Sequence, residues 1–132
     1  MNTFFDRLAP LGSLVGRILL AAIFVGAGAS KIGAYAGTQA YMASAGVPGA
    51  LLPLVIALEL GGGLAIVLGL AARPIAVLLA GFSVTASLLF HGGADQMQQI
   101  MLMKNFAIAG GLLLLAAYGP GKLSLDARLA RQ

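Results

Sequence analysis

Four long apolar stretches, separated by short polar or glycine-rich connections, dominate the chain. Each is close to the ~20 residues that a helix needs to cross a hydrocarbon core. The connection at Arg73 and Pro74 is so short that the flanking helices must form an antiparallel hairpin. The pattern therefore predicts an all-α integral membrane protein, a four-transmembrane-helix antiparallel bundle that forms one domain over residues 1–132. The predicted spans are residues 11–32, 51–70, 74–91 and 101–118.

The connections carry signals for helix starts and stops. Thr38 is a candidate N-cap for a short helix that ends before Gly46. Asp95 follows two glycines and suits the start of the fourth helix. Within residues 123–132, Leu125 and Leu129 stand against Arg128 and Arg131, which predicts a short amphipathic tail at the membrane surface.

Composition supports the membrane class and excludes several chemistries. The 132 residues are 60% hydrophobic and 9% charged, whereas soluble domains carry about a quarter charged residues. Cysteine is absent, which removes disulfides, thiol catalysis, iron–sulfur clusters and Cys-type zinc sites. His91 is the single histidine, so no metal site is predicted. The net charge of +4 is spread along the chain, which argues against nucleic acid as a partner.

The first apolar stretch can be a retained helix or a signal peptide, and the basic residues determine the orientation. A cleaved signal peptide is an alternative because Ala27-Gly28-Ala29 resembles a cleavage site. The internal Arg17 and the three later spans favour a retained helix. Basic residues concentrate on one side, so the positive-inside rule predicts a multi-pass protein with both termini in the cytoplasm. The basic residues on that side are Arg7, Arg73, Lys122, Arg128 and Arg131.

Glu59 is the one charge within residues 51–70. A carboxylate there costs on the order of several kcal/mol unless it is paired or protonated. Helical rise places Glu59 and Lys104 at a similar depth, about 12 Å from the outer surface. Arg17 lies deeper, with a long side chain that can extend toward Glu59. We therefore expect a polar pocket in the outer half of the bundle, formed by Arg17, Lys31, Glu59, Ser87, His91, Lys104 and Asn105.

Three interpretations of this cluster stay open. The charges can form a structural ion pair that fixes helix register, line a pocket for a small lipophilic ligand, or conduct protons or ions. A transporter is disfavoured, because the sequence shows neither a broken helix nor an inverted repeat. Next to Glu59, the glycines Gly62 and Gly63 predict a face where another helix packs closely.

Several short motifs occur in a recognisable order along nearly the whole chain. They are Arg17 with Gly28-Ala29-Ser30-Lys31, Leu58-Glu59-Leu60 with Gly62-Gly63 and Leu68-Gly69, Lys104-Asn105 with Gly110-Gly111, and Gly119-Pro120-Gly121-Lys122-Leu123-Ser124-Leu125-Asp126. In combination they closely resemble the DoxX family of small four-helix bacterial inner-membrane proteins.

The resemblance implies a role in membrane redox metabolism with a quinone or similar lipophilic molecule as ligand. It would make Arg17, Lys31 and Lys104 hydrogen-bond donors to the ligand, with Glu59 orienting them or relaying a proton. The final motif would be structural, as a helix stop and cap. Its residues are Gly119, Pro120, Gly121, Ser124 and Asp126.

The resemblance also implies partners and leaves the activity open. The lipid bilayer, a soluble or membrane redox protein and a second copy of the chain are the expected partners. The chain has no redox-active residue of its own, so whether it is an enzyme subunit or an accessory factor stays undecided. The alternative is a non-catalytic scaffold or assembly factor whose buried charges only specify helix packing.

Overall fold

The protein is described here by a computed structural model that covers residues 3–132; Met1 and Asn2, at the start of the predicted domain, lie outside the described residues. Within that range the chain is helical and contains no strand. Four helices are long and apolar enough to cross a membrane, which confirms the predicted fold class. They are the first span, Thr3–Gly33, the second span, Gly49–Leu68, the third span, Ala72–Phe90, and the fourth span, Gln96–Tyr118.

Two shorter helices distinguish the ends of the bundle. The loop helix, Tyr35–Ser44, follows the first span, and the tail helix, Leu125–Ala130, follows the fourth. We call the end with the loop helix the loop-helix end. The opposite end, with the tail helix and the connection between the second and third spans, is the terminal end.

Two helices start earlier than their apolar residues suggest. The first span begins at Thr3, has Asp6 in its first turn and includes Pro10. The loop helix begins at Tyr35, with Ala34 at its N-cap position, so the prediction of Thr38 as N-cap is wrong. Thr38 lies inside the helix, where its Oγ1 donates to the carbonyl of Ala34 at 2.8 Å. Hydropathy marks the part of a helix that sits in lipid, and it does not mark where helical hydrogen bonding starts.

The spans associate as two hairpins. The first span packs on the second, the third packs on the fourth, and the second and third spans join the pairs. Glycines permit the close approach, since a Cβ at Gly63 would lie 2.8 Å from Val25 and one at Gly62 3.3 Å from Leu79. The first and fourth spans, in contrast, barely touch.

The second span contains a turn of different winding. Residues Ala57–Gly61 form a π-helical segment, between α-helical segments that end at Ile56 and begin at Gly62. Such segments occur mostly as single widened turns and are frequent at functional sites. This one carries Glu59.

Candidate functional site

A cavity of about 350 Å³ lies between the spans in the half of the bundle nearer the loop-helix end. Its volume is within the ~300–1,000 Å³ range of small-molecule sites. Most of the wall is apolar, with side chains such as Phe24, Val55 and Ile108. The polar and charged side chains in the wall are Lys31, Thr38, Tyr41, Glu59, Ser83, Thr85, His91, Lys104 and Asn105.

Lys31 and Glu59 form an ion pair on one side of the cavity. Lys31 Nζ lies 2.7 Å from Glu59 Oε1, while Glu59 as a whole is only 4% exposed. A Cβ at Gly28 would lie 3.3 Å from the Glu59 Cβ, so the first span approaches the carboxylate closely. The buried Oε1 therefore has the Lys31 ammonium as its partner. A carboxylate has a second oxygen, so Glu59 retains capacity to accept a proton donor through Oε2.

Lys104 and Asn105 contribute from the fourth span, across the cavity. The Lys104 ammonium lies 3.6 Å from the sulfur of Met101, which is a weak acceptor. Among the described residues it forms no ion pair with a carboxylate. An ammonium at this depth favours an oxygen acceptor, and the protein itself supplies a thioether.

His91 and the loop helix form the outer boundary of the cavity. His91 Nδ1 lies 2.8 Å from Gln98 Oε1; because that oxygen accepts, Nδ1 donates and Nε2 is left for other contacts. Tyr41 of the loop helix stacks on Phe90 at a centroid distance of 5.1 Å and an interplanar angle of 23°. These rings, with the buried Met42, cover part of the loop-helix end of the cavity.

Ser87 lies just outside the cavity wall. It is fully buried, and its Oγ donates to the carbonyl of Ser83 at 2.8 Å. Ser83, one turn earlier, takes the wall position that we expected for Ser87. A spacing of four residues does not separate these two serines on one helical face, so the sequence pattern could not choose between them.

Arg17 requires a correction, because it does not extend toward Glu59. Its side chain is 2% exposed and its Nη1 donates to the carbonyls of Ile66, at 3.0 Å, and Val67, at 2.7 Å. Its Nη2 donates to the carbonyl of Leu123. Arg17 thus belongs to a separate polar centre at the terminal end.

Distance and the carbonyls at the end of the second span explain this placement. Gly28 is the residue of the first span that faces Glu59, and eleven residues of helix separate it from Arg17, about 17 Å. An arginine side chain cannot cover that distance. The last carbonyls of a helix lack the amide donor of a following turn. At the end of the second span, the carbonyl of Ile66 accepts from Gly69 N at 3.2 Å, and Arg17 supplies further donors to Ile66 and Val67.

Asp126 is the second member of this terminal polar centre. Its carboxylate accepts hydrogen bonds from the amides of Ala71 at 2.7 Å and Ala72 at 2.8 Å, where the third span begins. Its own amide donates to the carbonyl of Gly69 at 2.9 Å. Ser124 caps the tail helix by accepting from Ala127 N at 3.1 Å.

Glycine is required at Gly69, where φ is +69° and an added Cβ would collide with Ser124. Gly119 and Gly121 also have positive φ and flank Pro120, whose carbonyl accepts from Ser13 Oγ at 2.8 Å. The stretch that we expected to stop a helix also attaches the tail to the first span. The tail is also attached to the end of the second span, through the motifs Leu68-Gly69 and Ser124 to Asp126.

Comparison with known proteins places these observations in a family context. Residues 12–92 match the model of the DoxX family. "Inner membrane protein YqjF" of Escherichia coli (strain K12) is 50% identical over 127 residues, which cover 96% of this chain and 98% of that protein. "Inner membrane protein YphA" of the same organism is 38% identical over 140 residues, covering 97% and 100% respectively. No solved structure matches the chain significantly.

Proposed function

Because this chain belongs to the DoxX family and is an inner-membrane protein, we propose that it holds a small lipophilic molecule with oxygen acceptors, such as a quinone, in the cavity. The observation that carries the proposal is the wall itself. It is predominantly apolar, as a hydrophobic ring requires, and it brings Lys31 with Glu59 on one side to face Lys104 on the other. Such a combination of apolar wall and few polar groups is typical of ligand sites.

Lys104 would bind a ligand oxygen. Its ammonium has a sulfur as its recorded hydrogen-bond partner in the described part of the chain, and a carbonyl or phenolate oxygen would be a better acceptor. Asn105, the next residue in the wall, offers an amide that can donate or accept.

Glu59 would serve the opposite side of the ligand. Its buried Oε1 holds the Lys31 ammonium at 2.7 Å, which leaves Oε2 as an acceptor. A ligand hydroxyl, such as that of a quinol, would donate to Oε2. The carboxylate could then take up the proton that a quinol releases on oxidation.

A bound quinone would supply the electron-carrying chemistry, and the protein would bind and orient it. Electron exchange would require a soluble or membrane redox protein as partner, so we place the protein as a subunit or accessory factor in redox metabolism. This assignment leaves Arg17 out of the ligand site, since its Nη1 and Nη2 groups donate to backbone carbonyls at the terminal end.

A scaffold or assembly role is the second candidate. The Lys31–Glu59 pair favours it, because the protein satisfies that charge without a ligand. In that case the charges would only fix which helix faces meet.

The first prediction tests the cavity directly. A naphthoquinone should stabilise the folded protein, by about 2.7 kcal/mol at a hundred times its dissociation constant. Lys104→Met keeps the bulk of the side chain and removes its donor, so it should abolish most of the stabilisation. Thermal unfolding in detergent micelles, with and without the quinone, measures the effect.

The exposed tail residue Arg131 provides the matched control, since Arg131→Gln changes a charge away from the cavity and should leave the quinone effect intact. No thermal shift in the parent protein at saturating quinone would reject the ligand site in favour of the scaffold.

A second prediction concerns orientation, for which we propose that both termini face the cytoplasm. The chain contains no cysteine, so a single introduced thiol reports its own position. Ser44→Cys, at the exposed end of the loop helix, should react in intact cells with a thiol reagent that cannot cross the membrane. Arg131→Cys, at the terminal end, should react only after lysis. The reverse pattern would show that the protein has the opposite orientation.

A further inference from the structure

We propose that a groove between the first and fourth spans holds the hydrocarbon chain of the molecule whose head occupies the cavity. The ligand would then be a long-chain amphiphile that reaches the site sideways from the bilayer. This inference rests on the proposed function and deepens it by naming the class of ligand.

The groove, which we call the lateral groove, is a shallow, open depression on the surface of the bundle. Gly16, Leu20 and Ile23 line it from the first span, and Ile108 and Gly111 line it from the fourth. Both sets recur at helical spacing, so each forms one continuous face. Seven residues separate Gly16 from Ile23, which corresponds to about 10 Å along the helix axis.

The lateral groove adjoins the cavity, since Ile23, Lys104 and Ile108 line both spaces. Lys104 therefore lies at the boundary, where its ammonium can bind a head-group oxygen while the chain of the same molecule lies over Gly16 and Ile23. An amphiphile has this division into a polar head and an apolar chain.

The arrangement of the helices favours access from the side. The first and fourth spans barely touch, whereas the loop helix and the Tyr41–Phe90 stack cover part of the loop-helix end. A Cβ at Gly16 would meet no atom within 4 Å, so the groove is not filled by the protein's own side chains at that point. The groove adjoins the cavity at the level of the membrane-spanning helices, where hydrocarbon chains are the surrounding solvent.

The test compares two probes with the same head. One is 2-methyl-1,4-naphthoquinone, and the other carries a chain of four isoprene units on that ring system. Both are titrated into the full-length protein in lipid nanodiscs of one composition, for the parent and for Gly16→Leu. Partition of the chain into the bilayer is the same for parent and variant, so it cancels in their ratio.

Gly16→Leu places a side chain in the lateral groove, and its Cβ would meet no protein atom within 4 Å. It should weaken binding of the chain-bearing probe by about tenfold, since many small dispersion contacts are lost together, and leave the chainless probe unchanged. Gly12→Leu is the matched control. It lies one turn earlier on the same helix, an added Cβ there also meets no atom within 4 Å, and it should alter neither probe.

Leu19→Trp provides an independent variant in case Gly16→Leu folds poorly. Leu19 lines the same groove and is 70% exposed, so a larger ring there narrows the groove from the lipid side. It should reproduce the selective loss of the chain-bearing probe.

The possible results separate this inference from the proposed function. Equal binding of both probes to parent and groove variants would overturn the inference while leaving the cavity as a head-group site. Loss of both probes in the groove variants would overturn it too, because the effect would not be specific to the chain. A parent dimer that Gly16→Leu converts to a monomer, with probe binding unchanged, would assign the groove to a second copy instead. Failure of both probes to bind the parent would reject the proposed function itself.

Discussion

Replacing Arg17 by methionine is expected to lower the free energy of unfolding by about 3 kcal/mol, because hydrogen bonds from a charged donor are worth more than neutral ones. The guanidinium donates to the carbonyls of Ile66, Val67 and Leu123. Its loss leaves these acceptors in an environment with few other donors. It also removes a direct contact between the first span, the second span and the tail.

Reversible unfolding by a denaturing detergent, followed by circular dichroism, measures the change. Arg17→Lys retains the charge and loses the planar fork, so we expect it to recover only part of the stability. Arg131→Gln serves as the control because Arg131 is exposed. Stability of Arg17→Met equal to that of the parent would contradict a structural role for the terminal polar centre.

Removing Lys31 is expected to be more damaging than removing its partner. Glu59 is 4% exposed, whereas the Lys31 side chain is 27% exposed and can extend to the membrane surface. Lys31→Met leaves a buried carboxylate without its cation and should cost about 3 kcal/mol. Glu59→Gln leaves the partly exposed Lys31 without a partner and places a neutral amide in the buried position. It should lower the free energy of unfolding by about 1 kcal/mol.

The double variant makes this prediction specific. Lys31→Met combined with Glu59→Gln should be more stable than Lys31→Met alone, because no charge is then left buried. Stability of the four proteins, measured as a thermodynamic cycle, gives the coupling directly. Lys122→Met, an exposed lysine in the tail, controls for the general effect of losing a positive charge. Strictly additive costs would mean that the two residues are not energetically coupled.

The architecture could be predicted from sequence because membrane helices are specified by length and apolar composition. Local chemistry also carried reliable information where one side chain determines the outcome. Asp95 accepts from Gln98 N at 2.9 Å as an N-cap, and Ser124 caps the tail helix. Both depend on contacts within four residues, so sequence alone contains what is needed.

The polar residues were harder to place, because helical rise gives the depth of a residue in the membrane and does not give the neighbouring helix that its side chain contacts. Lys31, Glu59, His91, Lys104 and Asn105 do line one cavity; whether they bind a ligand stays a prediction.

The prediction from depth was wrong for Arg17, because it assumed that the guanidinium pairs with the carboxylate of Glu59. The carbonyls at the end of the second span are weaker acceptors than a carboxylate, but they lie within reach of the guanidinium and Glu59 does not.

Two features depended on packing and had no direct sequence signal. The π-helical turn at Ala57–Gly61 is a choice between hydrogen-bond patterns of similar energy, and tertiary contacts decide it. The lateral groove is open at Gly16, where an added Cβ would meet no atom within 4 Å, whereas the Leu20 side chain already packs against Gly111. Glycine pairs equally predict a tight contact, so the sequence could not distinguish an open seam from a closed one.

The terminal polar centre has a consequence for biosynthesis. Arg17 is translated early, yet one of its acceptors is the carbonyl of Leu123, near the end of the chain. The amides of Ala71 and Ala72 likewise have the carboxylate of Asp126 as their acceptor. Leu123 and Asp126 follow the fourth span in the chain, so they leave the ribosome after every span has been translated. We expect nascent chains stalled before Leu123 to occupy the membrane as loosely associated helices that proteases can reach. Translation of the tail would then be the event that completes folding.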